Sequence, residues 1–178
     1  MRTLACLQIL NEVRAIPGDV LELGVAWGAT ALTMAIWMRE NTRDKTLFAC
    51  DTFTGLPRRE SAHLFEGRFN FSDVFQRSVN LLPLTNVRTL PGRIEVTLPE
   101  HLSERKFCFA WLDLDLYEST SFAARWLTDR ITPGGVIGFH DYRFERCPGI
   151  AKVVDEELDR DKFDLLRVDW NCAFLRRK

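Results

Sequence analysis

One stretch near the N-terminus, residues 19–30, constrains the fold of this chain more than any other. It follows a turn-forming proline–glycine pair and begins with a short apolar run. Gly24 and Gly28 come next, and residues 29–38 are apolar and helix-forming. This order predicts a β-strand, a glycine turn and an α-helix. Because glycine has no Cβ, a ligand can lie against the turn, where the start of the helix offers free N–H groups.

The glycine spacing narrows the kind of ligand. Gly24-x-x-x-Gly28 differs from the dinucleotide fingerprint G-x-G-x-x-G, which argues against a nicotinamide-dependent oxidoreductase, and it lacks the Gly-Lys-Ser/Thr of a phosphate loop. With Glu22 two residues before the first glycine, it is similar to motif I of the class I S-adenosylmethionine (SAM) methyltransferases. The alternative is an ordinary strand–turn–helix corner without a ligand.

Length, charge and cysteine content exclude several classes of protein. The 178 residues predict one domain, residues 1–178, and a net charge of −1 offers no basic surface to a nucleic acid. No apolar run reaches the ~20 residues that cross a bilayer, so no membrane partner is expected.

Residues 1–17 predict an amphipathic N-terminal helix and not a signal peptide. Five cysteines without a C-x-x-C pair indicate buried thiols in a reducing compartment, so a cytoplasmic protein is expected.

Predicted strands and helices alternate along the rest of the chain. After the first strand, further strands are expected at 46–51, 86–90, 106–113 and 136–139, with a terminal hairpin at 163–168 and 172–175. Helices are expected at 3–15, 29–39, 72–82, 118–131 and 148–160. Ser72 is the predicted N-cap of the third helix, residues 92–102 are predicted to contain at most one helical turn, and residues 52–71 are predicted to form a lid loop. The order predicts an α/β fold with a doubly wound, Rossmann-like sheet of mostly parallel strands and a C-terminal antiparallel hairpin.

Polar side chains stand at the ends of the predicted strands. Asp51 ends the second strand, Asp113 and Asp115 follow the fourth, and His140 and Asp141 follow the fifth. Since the carboxyl ends of parallel strands face one crevice, these side chains are expected to converge. At its position Asp51 can accept both hydrogen bonds of a ribose diol, and the alternative is a helix cap or a loop salt bridge.

Asp113 and Asp141 form a second candidate group. Two carboxylates at adjacent strand ends repel each other unless a cation or a proton lies between them, which predicts a divalent cation. Asp113 is the first predicted ligand, Asp141 the second, and His140 either a third ligand or the base. The alternative is that one carboxylate caps the helix that starts near Glu118. If His140 binds the ion, its imidazole favours manganese or another transition metal; if His140 turns away, the carboxylates favour magnesium.

Four segments together resemble one protein family. They read Glu22-Leu-Gly-Val, Asp51-Thr-Phe-Thr-Gly-Leu-Pro, Leu112-Asp-Leu-Asp-Leu-Tyr-Glu-Ser-Thr and Pro133-Gly-Gly-Val-Ile-Gly-Phe-His-Asp-Tyr. These segments are similar to those of the macrocin O-methyltransferases, the metal-dependent sugar O-methyltransferases of antibiotic pathways. Residues 147–156 also resemble the last helix of that family, so that the resemblance covers residues 18–158.

The resemblance implies a class I methyltransferase fold, SAM as the methyl donor and a magnesium ion near Asp113 and Asp141. The acceptor it implies is a hydroxyl of a sugar or of a natural-product-like small molecule, with Asp113 and His140 as catalytic residues; a homodimer is compatible with it. The alternative is a SAM-binding module without turnover that acts through a partner. The residues implied to hold the cofactor are Glu22, Gly24, Gly28, Thr30, Asp51, Thr52, Phe53 and Gly92.

Two features depart from the family pattern. Family members usually carry an Asp-Asp pair where this chain has His140-Asp141. They also usually carry longer N-terminal segments, which help to build the substrate lid and the dimer. The acceptor site is therefore expected to be open, or to be covered by residues 52–71 alone.

Overall fold

The protein is built around a seven-stranded sheet with the order β3-β2-β1-β4-β5-β7-β6. A computed structural model describes residues 2–42, 44–56 and 73–178. The strands are β1 Asp19–Leu23, β2 Leu47–Asp51, β3 Val87–Pro91, β4 Phe107–Leu112, β5 Ile131–Phe139, β6 Phe163–Asp169 and β7 Cys172–Arg177. The helices are α1 Arg2–Val13, α2 Ala29–Asn41, α3 Val74–Leu81, α4 Ile94–Leu102, α5 Tyr117–Leu127 and α6 Pro148–Lys152, the last followed by a π-helical turn, Val153–Glu157.

The strand order confirms the predicted doubly wound α/β sheet. Strands β1 to β5 pair in parallel. The chain adds β2 and β3 on one side of β1 and then crosses over to add β4 and β5 on the other side. That reversal places a crevice at the carboxyl ends of the central strands. The terminal hairpin is also confirmed, because β7 pairs antiparallel with both β5 and β6 and so lies between them.

Two apolar layers cover the two faces of the sheet. Helices α1, α2 and α3 pack on one face, and α4, α5 and α6 pack on the other. All six residues of β4 are buried, which explains the continuous apolar run in its sequence. Trp111 is fully buried and stacks on Phe174 with ring centroids 5.8 Å apart, so it belongs to the core. The core therefore holds the carboxyl ends of β1, β4 and β5 in fixed relative positions.

Helix α4 corrects the prediction of a turn for residues 92–102. Pro99 lies inside this helix, where it lacks an N–H and clashes with the preceding turn. Ile94, Leu98 and Leu102 nevertheless follow helical spacing, and all three are buried in the core. Burying such side chains contributes about 1.5–3 kcal/mol each, which outweighs the ~3 kcal/mol cost of one internal proline.

Smaller differences concern the ends of helices and the lid loop. The helix predicted at 118–131 ends at Leu127, because β5 already begins at Ile131. The helix predicted at 148–160 changes to a π-helical turn after Lys152 and ends at Glu157. The predicted Ser72 cap and residues 57–71 of the predicted lid loop lie outside the described residues. No helix in the described ranges has both the length and the apolar character that a membrane span needs.

Candidate active site

A cavity of about 370 Å³ opens at the carboxyl ends of β1, β2, β4 and β5. Most of the residues predicted to form the site line it; they are Glu22, Gly24, Thr30, Asp51, Thr52, Gly92, Asp113, His140 and Asp141. Gly28 and Phe53 do not line it. Phe53 is buried and stacks on Phe75 with ring centroids 6.0 Å apart, so it supports the wall from behind.

The glycine turn after β1 is shaped by close contacts with its neighbours. Gly24 has a φ of +85°, and a Cβ there would lie 2.0 Å from the carbonyl oxygen of Asp113. Gly28 has a φ of +95°, and a Cβ there would lie 2.2 Å from the ring of Phe75. Both positions therefore require glycine for conformation and for packing. The result is a turn whose backbone lies directly against the end of β4.

Asp51 holds this turn in place. One of its oxygens, Oδ2, accepts hydrogen bonds from the backbone N–H groups of Val25 at 2.7 Å and Ala26 at 2.8 Å. The other, Oδ1, accepts the N–H of Phe53 at 2.7 Å. The carbonyl oxygen of Asp51 accepts the N–H of Gly92 at 2.9 Å, which joins the end of β3 to the same corner. The predicted ribose contact would be added to these bonds.

Asp113, His140 and Asp141 converge at the ends of β4 and β5. The Nδ1 atom of His140 lies 3.0 Å from Oδ1 of Asp113 and 3.0 Å from Oδ2 of Asp141. One donor atom from each residue lies within 4.8 Å of the other two, a separation at which one ion can contact all three. Nδ1 is buried, and within the described part of the chain no acceptor is aligned for a hydrogen bond with it. Three donor atoms this close together fit a divalent cation.

The charges of the cluster also favour a cation between the two carboxylates. Burial alone would lower the pKa of His140, but the neighbouring Asp113 and Asp141 carboxylates outweigh it and raise that pKa to about 9. Burial also opposes ionisation of Asp141, yet His140 beside it lowers the pKa of that carboxyl. The imidazolium thus acts as the cation between two carboxylates, and a metal ion would take over this role by displacing its proton.

Asp115 joins the cluster, although the sequence assigned it no separate role. Asp115, Asp141 and Cys147 form a second group of close donor atoms. Burial, followed by the negative charges of Asp113 and Asp141, raises the pKa of Asp115 to about 7. Asp115 and Asp141 both have left-handed backbone, with φ of 61° and 55°. Such conformations cost about 1–3 kcal/mol and persist where the surrounding structure imposes them, often at functional sites.

Arg2 is a residue of the site that sequence reasoning missed. Its Nη1 atom donates a 3.0 Å hydrogen bond to Oδ2 of Asp113, and its side chain lines the cavity. Glu22 lies nearby and is only 2% exposed, and its Oε2 atom has no hydrogen-bond partner among the described residues. Burial, and then the charge of Asp113, raises the pKa of Glu22 well above its usual value. No local pattern signals Arg2, because its partner is 111 positions away.

Comparison with known proteins identifies the family. The model of the macrocin-O-methyltransferase (TylF) family matches residues 2–177. Demethyldecarbamoylnovobiocin O-methyltransferase of Streptomyces niveus is 33% identical over 187 residues, which cover 91% of this chain and 67% of that protein. The 8-demethyl-8-(2,3-dimethoxy-alpha-L-rhamnosyl)-tetracenomycin-C 4'-O-methyltransferase of Streptomyces olivaceus is 29% identical over 148 residues, covering 74% of this chain and 56% of that protein.

A solved structure shares the architecture. The O-methyltransferase NovP superposes with a TM-score of 0.80 at 26% identity, over 99% of this chain and 79% of that chain. The chain thus spans only part of its relatives' lengths, 67% and 56% for the two curated proteins. The expected resemblance is confirmed: this protein belongs to the macrocin-O-methyltransferase family, whose members are SAM-dependent methyltransferases.

Proposed function

We propose that this protein transfers the methyl group of SAM to a hydroxyl of a sugar or of a natural-product-like small molecule, with help from a divalent cation. The observation that carries the proposal is the convergence of Asp113, His140 and Asp141 beside a cavity that also contains the glycine turn. The two curated relatives support it, because both are named as O-methyltransferases and one name specifies a rhamnosyl group.

The residues of the cavity fit SAM. Bound SAM supplies an electrophilic methyl group on a positively charged sulfur, next to an amino acid and a ribose. Glu22 offers a buried carboxyl oxygen that has no hydrogen-bond partner among the described residues, which suits a cationic donor. Gly24 lines the cavity and lets the turn pack against the end of β4, and Asp51 is the proposed ribose contact. Thr30, Thr52 and Gly92 complete the proposed cofactor wall, supported from behind by Gly28 and Phe53.

The strand-end cluster fits a divalent cation. Asp113 and Asp141 would contribute carboxylate oxygens and His140 would contribute Nδ1, the buried nitrogen that no described acceptor is aligned to bond. When bound, such an ion lowers the pKa of a hydroxyl that contacts it. Carboxylates suit magnesium, whereas the imidazole favours manganese or another transition metal.

The chain's own residues position the reactants and accept the proton. The fixed carboxyl ends of β1, β4 and β5 hold the cofactor wall and the acidic cluster at one edge of the sheet. Such positioning of two reactants lowers the activation barrier by several kcal/mol. If no ion occupies Nδ1 of His140, the pKa of about 9 keeps that imidazole protonated, so it accepts the proton of the hydroxyl only above that pH. If an ion does, a carboxylate of the cluster, first of all Asp113, takes the proton.

A methyl-transfer assay tests the proposal. The full chain is incubated with SAM labelled in its methyl group, with manganese or magnesium, and with a panel of glycosides, nucleotide sugars and catechols. We expect labelled product from at least one glycoside or sugar, and with unlabelled SAM a product 14 mass units heavier than the acceptor. Calorimetry with SAM and with NAD accompanies the assay. SAM binding without transfer to any acceptor would describe a binding module, and NAD binding without SAM binding would overturn the proposal.

A further inference from the structure

Arg2 brings a positive charge to the acidic edge of the cavity. Its side chain is 38% exposed, whereas the carboxylate of Asp113, to which it donates, is 15% exposed. Within the described ranges, Asp113 is the only hydrogen-bond or ion-pair partner of this guanidinium. A guanidinium carries five N–H donors in a planar fork, so most of its donors remain for a further partner.

Arg2 and Glu22 present a guanidinium and a buried carboxyl group to the same part of the cavity. Both side chains line it, and the positive charge of Arg2 lowers the pKa of Glu22 against the stronger effect of burial, which raises it. The Oε2 atom of Glu22 is buried and has no partner among the described residues. A buried oxygen of this kind is costly, so it indicates a ligand that brings a donor.

A ligand with an ammonium group and a carboxylate on one carbon matches this pair of groups. The methionine part of SAM is such an α-amino acid. Its carboxylate would meet Glu22 and Asp113 at this edge and would be repelled unless a cation contacts it. Of the other arginines that line the cavity, Arg93 is paired with Glu95, and Arg146 lies in the segment between β5 and α6. Of these arginines, Arg2 is the one whose hydrogen bond to Asp113 is seen in the structure.

We propose that Arg2 binds the α-carboxylate of the methionine moiety of SAM while it remains paired with Asp113. This inference rests on the proposed function, because it requires SAM in the cavity. The planar fork of a guanidinium can give two N–H groups to a carboxylate and a further one to Asp113. Arg2 would therefore connect the cofactor to a residue of the proposed metal site.

Binding of two related compounds tests the contact. SAM and decarboxylated SAM share every group except the α-carboxylate. Calorimetry on the full chain compares their dissociation constants for the wild type, Arg2→Gln and Arg2→Lys. We expect Arg2→Gln to weaken SAM about 10-fold or more while decarboxylated SAM binds as tightly as before, or more tightly. Arg2→Lys should recover part of the loss, because a lysine keeps the charge and loses the fork.

Arg14→Gln is the matched control. Arg14 directly follows α1 and contacts Asn11 at the exposed surface. With a helical rise of 1.5 Å per residue, it lies about 18 Å along the chain from Arg2. The Arg14→Gln substitution removes the same charge as Arg2→Gln. SAM affinity should change less than about 2-fold, as expected for charges separated by more than a Debye length.

The possible outcomes separate this inference from the proposed function. If Arg2→Gln weakens SAM and decarboxylated SAM equally, Arg2 only supports Asp113 and the carboxylate contact is refuted. An unchanged affinity for SAM refutes it as well. If the wild type binds neither compound, the proposed function fails, and the inference fails with it.

Discussion

The hydroxyl of Tyr142 donates a 2.9 Å hydrogen bond to Oδ1 of Asp155. This bond ties the residue that follows Asp141 to the π-helical turn, Val153–Glu157. The backbone N–H of Tyr142 donates to the carbonyl oxygen of Asn171 at 2.9 Å, and the side chain is only 2% exposed. Tyr142 is thus fixed from two sides, which holds the left-handed backbone of Asp141 beside the acidic cluster.

Removing this hydroxyl should loosen Asp141. We expect Tyr142→Phe to lower the free energy of unfolding by about 1 kcal/mol, the usual net contribution of one hydrogen bond, and to weaken Mn²⁺ binding measured by electron paramagnetic resonance. Tyr117→Phe is the matched control, because Tyr117 donates to Glu157 of the same turn at 2.6 Å. It should cost similar stability and leave Mn²⁺ affinity unchanged. Equal effects of both variants on Mn²⁺ affinity would contradict a local role for Tyr142.

Asp51 should matter for stability and for the cofactor. Asp51→Ala removes the acceptor of three backbone N–H groups and the proposed ribose contact, so we expect SAM binding to weaken by about 1.5–3 kcal/mol and the protein to lose stability. Asp51→Asn keeps one oxygen for the turn and should be milder in both respects. Calorimetry with SAM and urea unfolding measure the two effects. A dissociation constant that Asp51→Ala does not change would remove Asp51 from the cofactor site.

Gly24 is expected to tolerate no side chain. Gly24→Ala places a Cβ 2.0 Å from the carbonyl oxygen of Asp113 and adds strain at a φ of +85°, so unfolding should become easier by more than about 2 kcal/mol. Gly134→Ala is the control, since its φ is +82° but its Cβ would lie 3.1 Å from the end of the Ile16 side chain. That variant should lower the free energy of unfolding only by the backbone strain, about 1 kcal/mol. Equal losses in urea unfolding would show that the contact with Asp113 has no effect.

We expect Glu157 to make the free energy of unfolding depend on pH in the acidic range. Burial is the largest single effect and opposes ionisation, but the hydrogen bonds from Ser121 and Tyr117 and the nearby positive charges together outweigh it and lower the pKa of the carboxyl below the ordinary 4.5. The folded state therefore binds the proton less readily than the unfolded state, so the stabilisation is complete above about pH 4.5 and is lost as the pH falls through the lower, folded pKa. Urea unfolding between pH 3 and 6 should show a shallower pH dependence for Glu157→Gln. An identical pH dependence would contradict this effect.

The fold and the acidic edge can be predicted because each depends on local sequence. The apolar run of β4 and the acid after it are adjacent in the chain, and parallel strands then bring Asp113 and Asp141 to one edge. Contacts between distant segments leave no such local signal. Arg2 reaches Asp113 across 111 positions, and α4 forms despite Pro99 because tertiary packing outweighs the local preference. The place of Phe53 behind the cavity wall likewise follows from its contact with Phe75.

The most direct test of the account is methyl transfer by chelated protein before and after metal is added back. The acceptor is the one found in the panel, and the proteins are the wild type and His140→Asp. Because Nδ1 of His140 lies within the cluster, we expect no transfer without metal, better recovery with Mn²⁺ than with Mg²⁺ for the wild type, and a shift towards Mg²⁺ for His140→Asp. Full transfer by the metal-free wild type would contradict the account and leave Asp113 and Asp141 with proton transfer alone.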